Sequence, residues 1–427
     1  MWPYRPPVRH KTIHIRQWKS RIQQRYLKVV PPCSTLYLRT QIQGIMRDLH
    51  MVDLKSQYEH IKEEVDRAVG EVIRTAQFIN GPEVKAFQSE LESYLDVPHV
   101  IPCANGTDAL QVAMMALDLQ PGDEVITASF TYVATAEVIA LLRLKPVLVD
   151  VDPETFLIDP KQVKAAITEK TRAIVPVHLF GQNAPMEELL DIAREHDLFV
   201  IEDTAQAIGS DFRFGDGKIL KAGTIGDIGC TSFFPSKNLG CYGDGGALFT
   251  RNEALAQRIR MIVNHGQGKR YYHDEIGVNS RLDSIQAAVL RIKLKRLDAY
   301  SAARKKVAEH YDQAFAASPY LNTPRRVEWS DHVFHQYTLI AEGISRDRLV
   351  EELRNAGLPC MIYYPVPLHQ QKAYRDDRLD GQLNVTERLC EKVFSLPIHT
   401  EMDQEQLNFI SSTTLEIIDN LTKQREK

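Results

Sequence analysis

No apolar run in the 427 residues approaches the roughly 20 needed to cross a bilayer. Cysteine is sparse. The six residues, at positions 33, 103, 230, 241, 360 and 390, form no CxxC pair and show no repeated spacing, which argues for a reducing, cytoplasmic setting without structural zinc or another metal. Tandem repeats and low-complexity linkers are absent. The glycine-rich stretch GCYGDGG (Gly240 to Gly246) lacks the GxGxxG spacing after a strand that a nicotinamide oxidoreductase requires. Acid is missing from residues 1–47, which hold ten Arg or Lys and no Asp or Glu; the remainder carries 42 basic against 56 acidic residues, so an acidic body bears a basic arm. Such an arm can bind nucleic acid or anionic lipid, or act as a transit peptide. It has no clean amphipathic period, no h-region and no aromatic interleaving. It is also too short for a winged helix, so residues 1–47 are read as an extension outside the core fold, with no nucleic-acid partner.

With 44% apolar and 25% charged residues, the rest suits a soluble chain with a large core and two domains. Its organising stretch is DIGCTSFFPSKNLGCYGDGGALFT (Asp227 to Thr250), where a strand-like run ends at Pro235 and delivers Lys237 into a glycine-rich segment. Upstream, the apolar run Leu198 to Ile201 ends in Glu202 and Asp203, placing a carboxylate where a buried strand meets a loop. Further back, Val100 to Pro102 leads through Asn105 into Gly106 and Thr107 at a helix start. There the unpaired N–H groups and the dipole attract phosphate, and Ser232 can add a hydroxyl. A phosphate cradle, a strand-end aspartate and a strand-end lysine together suit pyridoxal 5'-phosphate, which needs an amine to hold its aldehyde, a carboxylate at its ring nitrogen and donors for its phosphate.

These motifs and others in the same order resemble the DegT family, fold-type I aminotransferases acting on nucleotide-linked keto sugars. The resemblance runs from about Met51 to Met402. It rests on VDLKSQY (Val52 to Tyr58), FINGPEV (Phe78 to Val84), ANGTDAL (Ala104 to Leu110), SFTYVATAE (Ser129 to Glu137), PVHLFGQ (Pro176 to Gln182), IEDTAQA (Ile201 to Ala207), SFFPSKNLGCYGDGGA (Ser232 to Ala247) and NSRLD (Asn279 to Asp283). It implies an α/β fold with a seven-stranded, mostly parallel sheet between helices in residues 48–298, and a smaller C-terminal α+β domain in 299–427.

The apolar periodicity agrees. Strand-like runs at Val100–Pro102, Glu124–Ala128, Pro146–Val151, Ala173–His178, Leu198–Glu202, Gly229–Phe234 and Ala247–Thr250 alternate with helical ones at Ala109–Leu119, Ala134–Leu142, Pro160–Ile167, Met186–His196 and Glu253–Val263. A further helix is read over Leu54 to Thr75 and a long one beyond Arg281. Short strands and helices follow at Val333–Ala341, Asp347–Ala356, Cys360–Tyr364 and Glu387–Phe394. Ligands of such a sheet sit beyond the strand C-termini. Gly106, Tyr132, Asp203 and Lys237 all fall there.

The resemblance also implies roles. Lys237 would hold the cofactor covalently and move protons. Asp203, rather than its neighbour Glu202, would pair with the ring nitrogen, Gln206 would meet the ring oxygen and Tyr132 would stack on the ring. Gly106, Thr107 and Ser232 would hold the phosphate, with Asn279 reaching it from a neighbouring subunit in a homodimer with shared active sites. Arg281 suits an anionic sugar or diphosphate group; for both Asn279 and Arg281 the plain alternative is capping of the following helix. MIYYPVPLHQ (Met361 to Gln370) matches a sugar-pocket loop that usually reads His-Tyr-Pro. Here Tyr363 replaces the histidine and Tyr364 matches. Phe78, Asn80, His178 and His265 are plausible neighbours, although a buried, satisfied histidine is the commoner outcome. The implied reaction moves an amino group, with L-glutamate as donor, to a nucleotide-linked keto sugar. The wording CTSFFPSK…LGCYGDGGA is nearest to enzymes acting at C3 of UDP-3-keto-N-acetylglucosaminuronic acid for cell-surface polysaccharide, with C3 or C4 of other UDP- or dTDP-sugars as alternatives. A family branch that dehydrates sugars has histidine where this chain has Lys237.

Overall fold

The structure, a computed structural model, describes residues 47–423. The reading of 1–47 as an extension lies outside the described residues, Arg47 apart. Among the described residues no helix is long and apolar enough to cross a membrane. Leu49 onward forms one unit.

Seven strands build the main sheet: β1 (His99–Cys103), β2 (Glu124–Ala128), β3 (Lys145–Val149), β4 (Thr171–Val175), β5 (Phe199–Asp203), β8 (Ile228–Ser232) and β9 (Gly246–Thr250). A small hairpin of β6 (Asp211–Arg213) and β7 (Ile219–Lys221) lies between β5 and β8. The order across the sheet is β1-β9-β8-β5-β4-β2-β3, parallel throughout except for β9, which runs against both neighbours. The reversal has a local cause. Parallel neighbours need a crossover long enough for a helix, and residues 233–245 contain none, so the chain can only double back beside β8.

Both faces of the sheet are buried, and successive side chains feed opposite layers. Ile126, Ile174 and Val200 enter one core; Val125, Ala173, Val175 and Ile201 enter the other. Helices over Gly106–Ala116, Ala134–Leu141 and Glu253–Ile262 cover the second layer, and Met186–His196 covers the first. The expected seven strands are present, with ends shifted by at most three residues; Glu124–Ala128 and Met186–His196 coincide with their expected spans. Helix Pro82–Leu95 was not anticipated, although Gly81 followed by Pro82 is a helix-start signal. The long pattern beyond Arg281 is two helices, Ser284–Leu294 and Leu297–Phe315. Arg291 on the first binds Glu83 and Glu90 at 2.8 and 2.6 Å, fastening it to Pro82–Leu95.

The C-terminal part has a three-stranded antiparallel sheet, with Leu321–Asn322, Tyr337–Ala341 and Val393–Leu396 in that order, packed with helices Leu297–Phe315, Arg346–Asn355 and Gln404–Lys423. Cys360–Tyr364 is neither helix nor strand; Met361 bridges to Ser395 of this sheet, and Cys360 and Ile362 pack into its core. The expected element at Glu387–Phe394 is the end of helix Asn384–Lys392 passing into a strand. That helix is docked by a distant carboxylate. Buried Asp150, just past β3, accepts the Val385 and Thr386 amides at 2.9 and 2.8 Å and the Thr386 hydroxyl at 2.7 Å. A negative charge at a helix N-terminus satisfies its open donors and opposes its dipole. Asp150→Ala should therefore cost about 1–2 kcal/mol, the usual range for a lost helix cap. Urea unfolding should shift to lower denaturant and the 361–392 segment should become more sensitive to protease; an unchanged midpoint would refute the docking role.

Candidate active site

The C-terminal end of β8 is Ser232. Beyond it, Phe233 donates its amide to Gly245 (2.7 Å) and accepts from the Cys241 amide (2.8 Å), while the Lys237 amide bonds the Phe234 carbonyl (2.8 Å). These bonds close the 233–245 return into a fixed loop. Gly240 is obligatory there, because a Cβ would lie 2.3 Å from the Pro235 carbonyl oxygen. The half-buried Lys237 amine has no hydrogen-bond or ion-pair partner among the described residues. Burial pulls its pKa down to about 8, opposed by the negative charge of Asp203.

Strand alternation sends the two adjacent acids to opposite faces. Glu202, on the face of Val200, is fully buried and fully used: it accepts from the Ile225 and Gly226 amides (2.7 and 2.6 Å), from the Gly223 amide (2.9 Å) and from His178 Nε2 (2.9 Å). His178 Nδ1 accepts the Ala184 amide at 3.0 Å, so the proton is on Nε2 and the ring is the satisfied structural histidine. Asp203 turns to the other face. Its carboxylate accepts the Ala205 amide (3.1 Å) and the Thr135 hydroxyl (2.8 Å).

Gly106 and Thr107 open helix Gly106–Ala116. Asn105 caps it, its side chain accepting the Asp108 amide at 2.8 Å, and no described acceptor takes the Gly106 or Thr107 amides. Ser232 lies directly against this helix start, since a Cβ on Gly106 would be 2.7 Å from the Ser232 Cβ. Two segments far apart in the chain, Gly106–Thr107 and Ser232, thus bring their donor groups together.

Gln206 accepts the Phe180 amide at 2.7 Å and donates to the Tyr364 hydroxyl at 3.2 Å, leaving one amide hydrogen for a ligand. Tyr132 is 59% exposed, with its ring 6.4 Å from that of Tyr364, which in turn packs 5.9 Å from Phe130. Burial raises the Tyr364 hydroxyl pKa well above its usual value. Tyr363 is half-buried, 6.2 Å from Tyr364. The loop holding Tyr132 and the segment holding these tyrosines are tied together. Leu368 donates its amide to the Ser129 carbonyl (3.1 Å), and the Ser129 hydroxyl meets His369 Nδ1 (2.8 Å), whose Nε2 meets Glu387 (3.1 Å).

Asn279 is exposed and Arg281 half-buried with no partner among the described residues. Neither caps the next helix, whose N-cap is Asp283. Ser280 between them accepts the Ala104 amide at 3.0 Å, which sets the segment beside the Gly106 helix start. Phe78, Asn80 and His265 are exposed. Thr135, which holds Asp203, was given no role from the sequence although it stands three residues after Tyr132 in the same motif.

An unpartnered amine near a strand-end aspartate, with unclaimed helix-start amides against a serine, fits an aldehyde-bearing phosphate ester with a basic ring nitrogen. The chain matches the DegT/DnrJ/EryC1/StrS aminotransferase family over residues 59–414. It is 45% identical over 363 residues to the pleiotropic regulatory protein of Geobacillus stearothermophilus, covering 84% of this chain and 96% of that one. It is 44% identical over 362 residues to the UDP-2-acetamido-2-deoxy-3-oxo-D-glucuronate aminotransferase of Pseudomonas aeruginosa, covering 85% and 98%. Among solved structures, NtdA from Bacillus subtilis with bound cofactor PMP superposes with a TM-score of 0.80 at 30% identity, covering 88% of this chain and 86% of that one.

The Lys237 environment makes a direct prediction. A depressed lysine loses its proton earlier as pH rises, so trace acylation of Lys237 should be half-maximal near pH 8, whereas exposed lysines follow their usual value of about 10.4. Mass spectrometry of the labelled peptide reads this, and a Lys237 midpoint among those of the exposed lysines would contradict the burial argument.

Proposed function

The chain belongs to the DegT/DnrJ/EryC1/StrS aminotransferase family, and from that premise we propose that it uses pyridoxal 5'-phosphate to move an amino group from L-glutamate to C3 of UDP-3-keto-N-acetylglucosaminuronic acid. The product would serve cell-surface polysaccharide synthesis in the cytoplasm. The observation that carries this reading is an unpartnered Lys237 amine within the electrostatic reach of Asp203 while Glu202 is wholly committed elsewhere. When bound, the cofactor supplies the aldehyde and the electron-withdrawing ring by which an amino group is carried between substrates. The residues do the rest. Lys237 holds the aldehyde and, with an amine poised near neutrality, takes and returns a proton as general base and acid. Asp203, oriented by Thr135, holds the ring nitrogen in its charged form. Gly106, Thr107 and Ser232 bind the phosphate, Gln206 offers its remaining amide hydrogen to the ring oxygen and Tyr132 covers a ring face.

Asn279 reaches the phosphate of a second copy, so the working form is a homodimer with shared sites. Arg281, unpaired and presenting a fork suited to carboxylate, takes the uronate group, and Tyr363 and Tyr364 line the sugar pocket. One feature favours a second reading, in which the acceptor is C3 or C4 of a different UDP- or dTDP-keto sugar: Tyr363 stands where the family's sugar loop usually has histidine. Lysine at position 237 weighs against dehydration.

The test is spectroscopic. Loaded protein should absorb in the visible, L-glutamate should bleach the band, and among UDP- and dTDP-keto sugars the 3-keto uronate should restore it fastest. A Lys237→Ala variant should lose turnover by at least about a thousandfold, an expectation scaled to removal of a group that holds the cofactor and transfers the proton. Turnover by this variant at the parental rate would end the assignment. Arg281→Gln should raise KM for the uronate at least about tenfold, as expected for loss of a charge-assisted pair. It should leave KM for a keto sugar without the carboxylate within about twofold; equal losses on both sugars would remove Arg281 from carboxylate recognition.

A further inference from the structure

Phe180, inside the turn Leu179–Gly181 that follows β4, has a φ of 57°, the left-handed region that bulky side chains avoid. Such a conformation persists only where the surroundings over-determine it. Here the surroundings are a strap from the C-terminal part. His335 donates its amide to the Phe180 carbonyl at 2.8 Å, and Val333 donates to that of Gly181 at 2.9 Å. Between them Phe334 is itself left-handed, at φ 47°, and a Cβ on Gly181 would meet its amide nitrogen at 2.9 Å. The strap is held in turn by Asn238, the residue after Lys237, whose side-chain amide donates to the Val333 carbonyl at 2.9 Å. Buried Arg304 donates to the carbonyls of Phe334 and His335, both at 3.3 Å.

The buried Phe180 ring packs edge-on to Phe156 at 5.7 Å and to Phe130 at 6.4 Å. With ring and carbonyl both fixed, φ is the rotation that sets the direction of the Phe180 N–H. That N–H donates to Gln206 Oε1 at 2.7 Å, and Gln206 Nε2 donates to the Tyr364 hydroxyl at 3.2 Å. The two ends of a carboxamide are alike in shape and opposite in hydrogen bonding, so a fixed donor on one side decides which end is oxygen. An N–H at this point holds the oxygen toward the turn and turns the nitrogen toward Tyr364.

We propose that Phe180 is a positioning residue for Gln206: its left-handed backbone aims an N–H at the carboxamide oxygen, so that Gln206 presents hydrogen rather than oxygen to the pocket. The inference rests on the reading in which Gln206 meets the ring oxygen of the cofactor, and it deepens that reading. A carboxamide turned this way favours the anionic form of the oxygen it meets, because a hydrogen bond to a charged acceptor is the stronger one. With an ordinary right-handed φ at position 180 the N–H would leave Gln206, and the carboxamide would be free to turn over.

The experiment compares Phe180→Gly with Phe180→Val in the full-length chain loaded with pyridoxal 5'-phosphate, reading the pH midpoint of its visible band. Glycine loses the whole ring and keeps the left-handed backbone at no steric cost. Valine loses less of the side chain and is β-branched, which that backbone disfavours. Valine should raise the midpoint by about one pH unit, a tenfold change in proton affinity, and glycine should stay within a few tenths of the parent. A packing role predicts the opposite order, because glycine leaves the larger cavity. A glycine shift equal to or larger than that of valine, or a valine midpoint at the parental value, overturns the proposal. A parent that takes up no cofactor overturns instead the assignment of function, so the two failures are distinguishable. The carboxamide is read apart from the cofactor by NMR of the cofactor-free chain labelled with nitrogen-15 at glutamine, which also decides should either variant not fold. One Gln206 side-chain proton of the parent should lie downfield and move upfield in Tyr364→Phe. Protons indifferent to that substitution show the carboxamide reversed and refute the proposal.

Discussion

A buried carboxylate must be satisfied, and in this protein that constraint falls on Glu202. Its two oxygens take three backbone amides from residues 223–226 and the His178 ring, all within 2.9 Å. Leaving a buried charge without its partners typically costs several kcal/mol, so this cluster fixes β5 against the segment that leads into β8. Successive side chains of a strand point to opposite faces, so committing Glu202 to one layer delivers Asp203 to the other, where Lys237 stands. Asp203 is positioned by its neighbour's structural duty.

Most of this was legible in the chain because it is locally encoded. Continuous apolar runs marked the parallel strands, and Lys237, Asp203 and Gly106 announced themselves by standing just beyond such runs. What remained hidden depends on contacts between distant segments. The preference for Asp203 over Glu202 could be taken only from resemblance; its physical reason, four donors from outside the strand, appears only on folding. Thr135 gave no signal because it touches Asp203, 68 positions away. The reversal of β9 was obscured by an apolar pattern identical to that of a parallel strand. The alternative of Asn279 and Arg281 as helix caps fails because Asp283 holds that place.

The proposed sugar side of the site is assembled differently from the proposed cofactor side. Tyr363 and Tyr364 come from a segment with almost no regular structure, and its order derives from what it touches: Asp150 at the start of the helix downstream, the Ser129–His369–Glu387 chain, and Gln206 on the Tyr364 hydroxyl. Gln206 therefore serves both halves, since the same side chain orients the Phe180 turn and the tyrosine. An altered residue in that segment would leave the strand-end groups in place.

The doubling back of the chain between β8 and β9 carries a last consequence. Ser232 and Gly246 are paired across the sheet, so both ends of the segment bearing Lys237 are anchored in the same ladder, and cross-links at Phe233 brace it from within. The loop is therefore held at both ends before any ligand arrives, and a cofactor bound as proposed would have little backbone left to order.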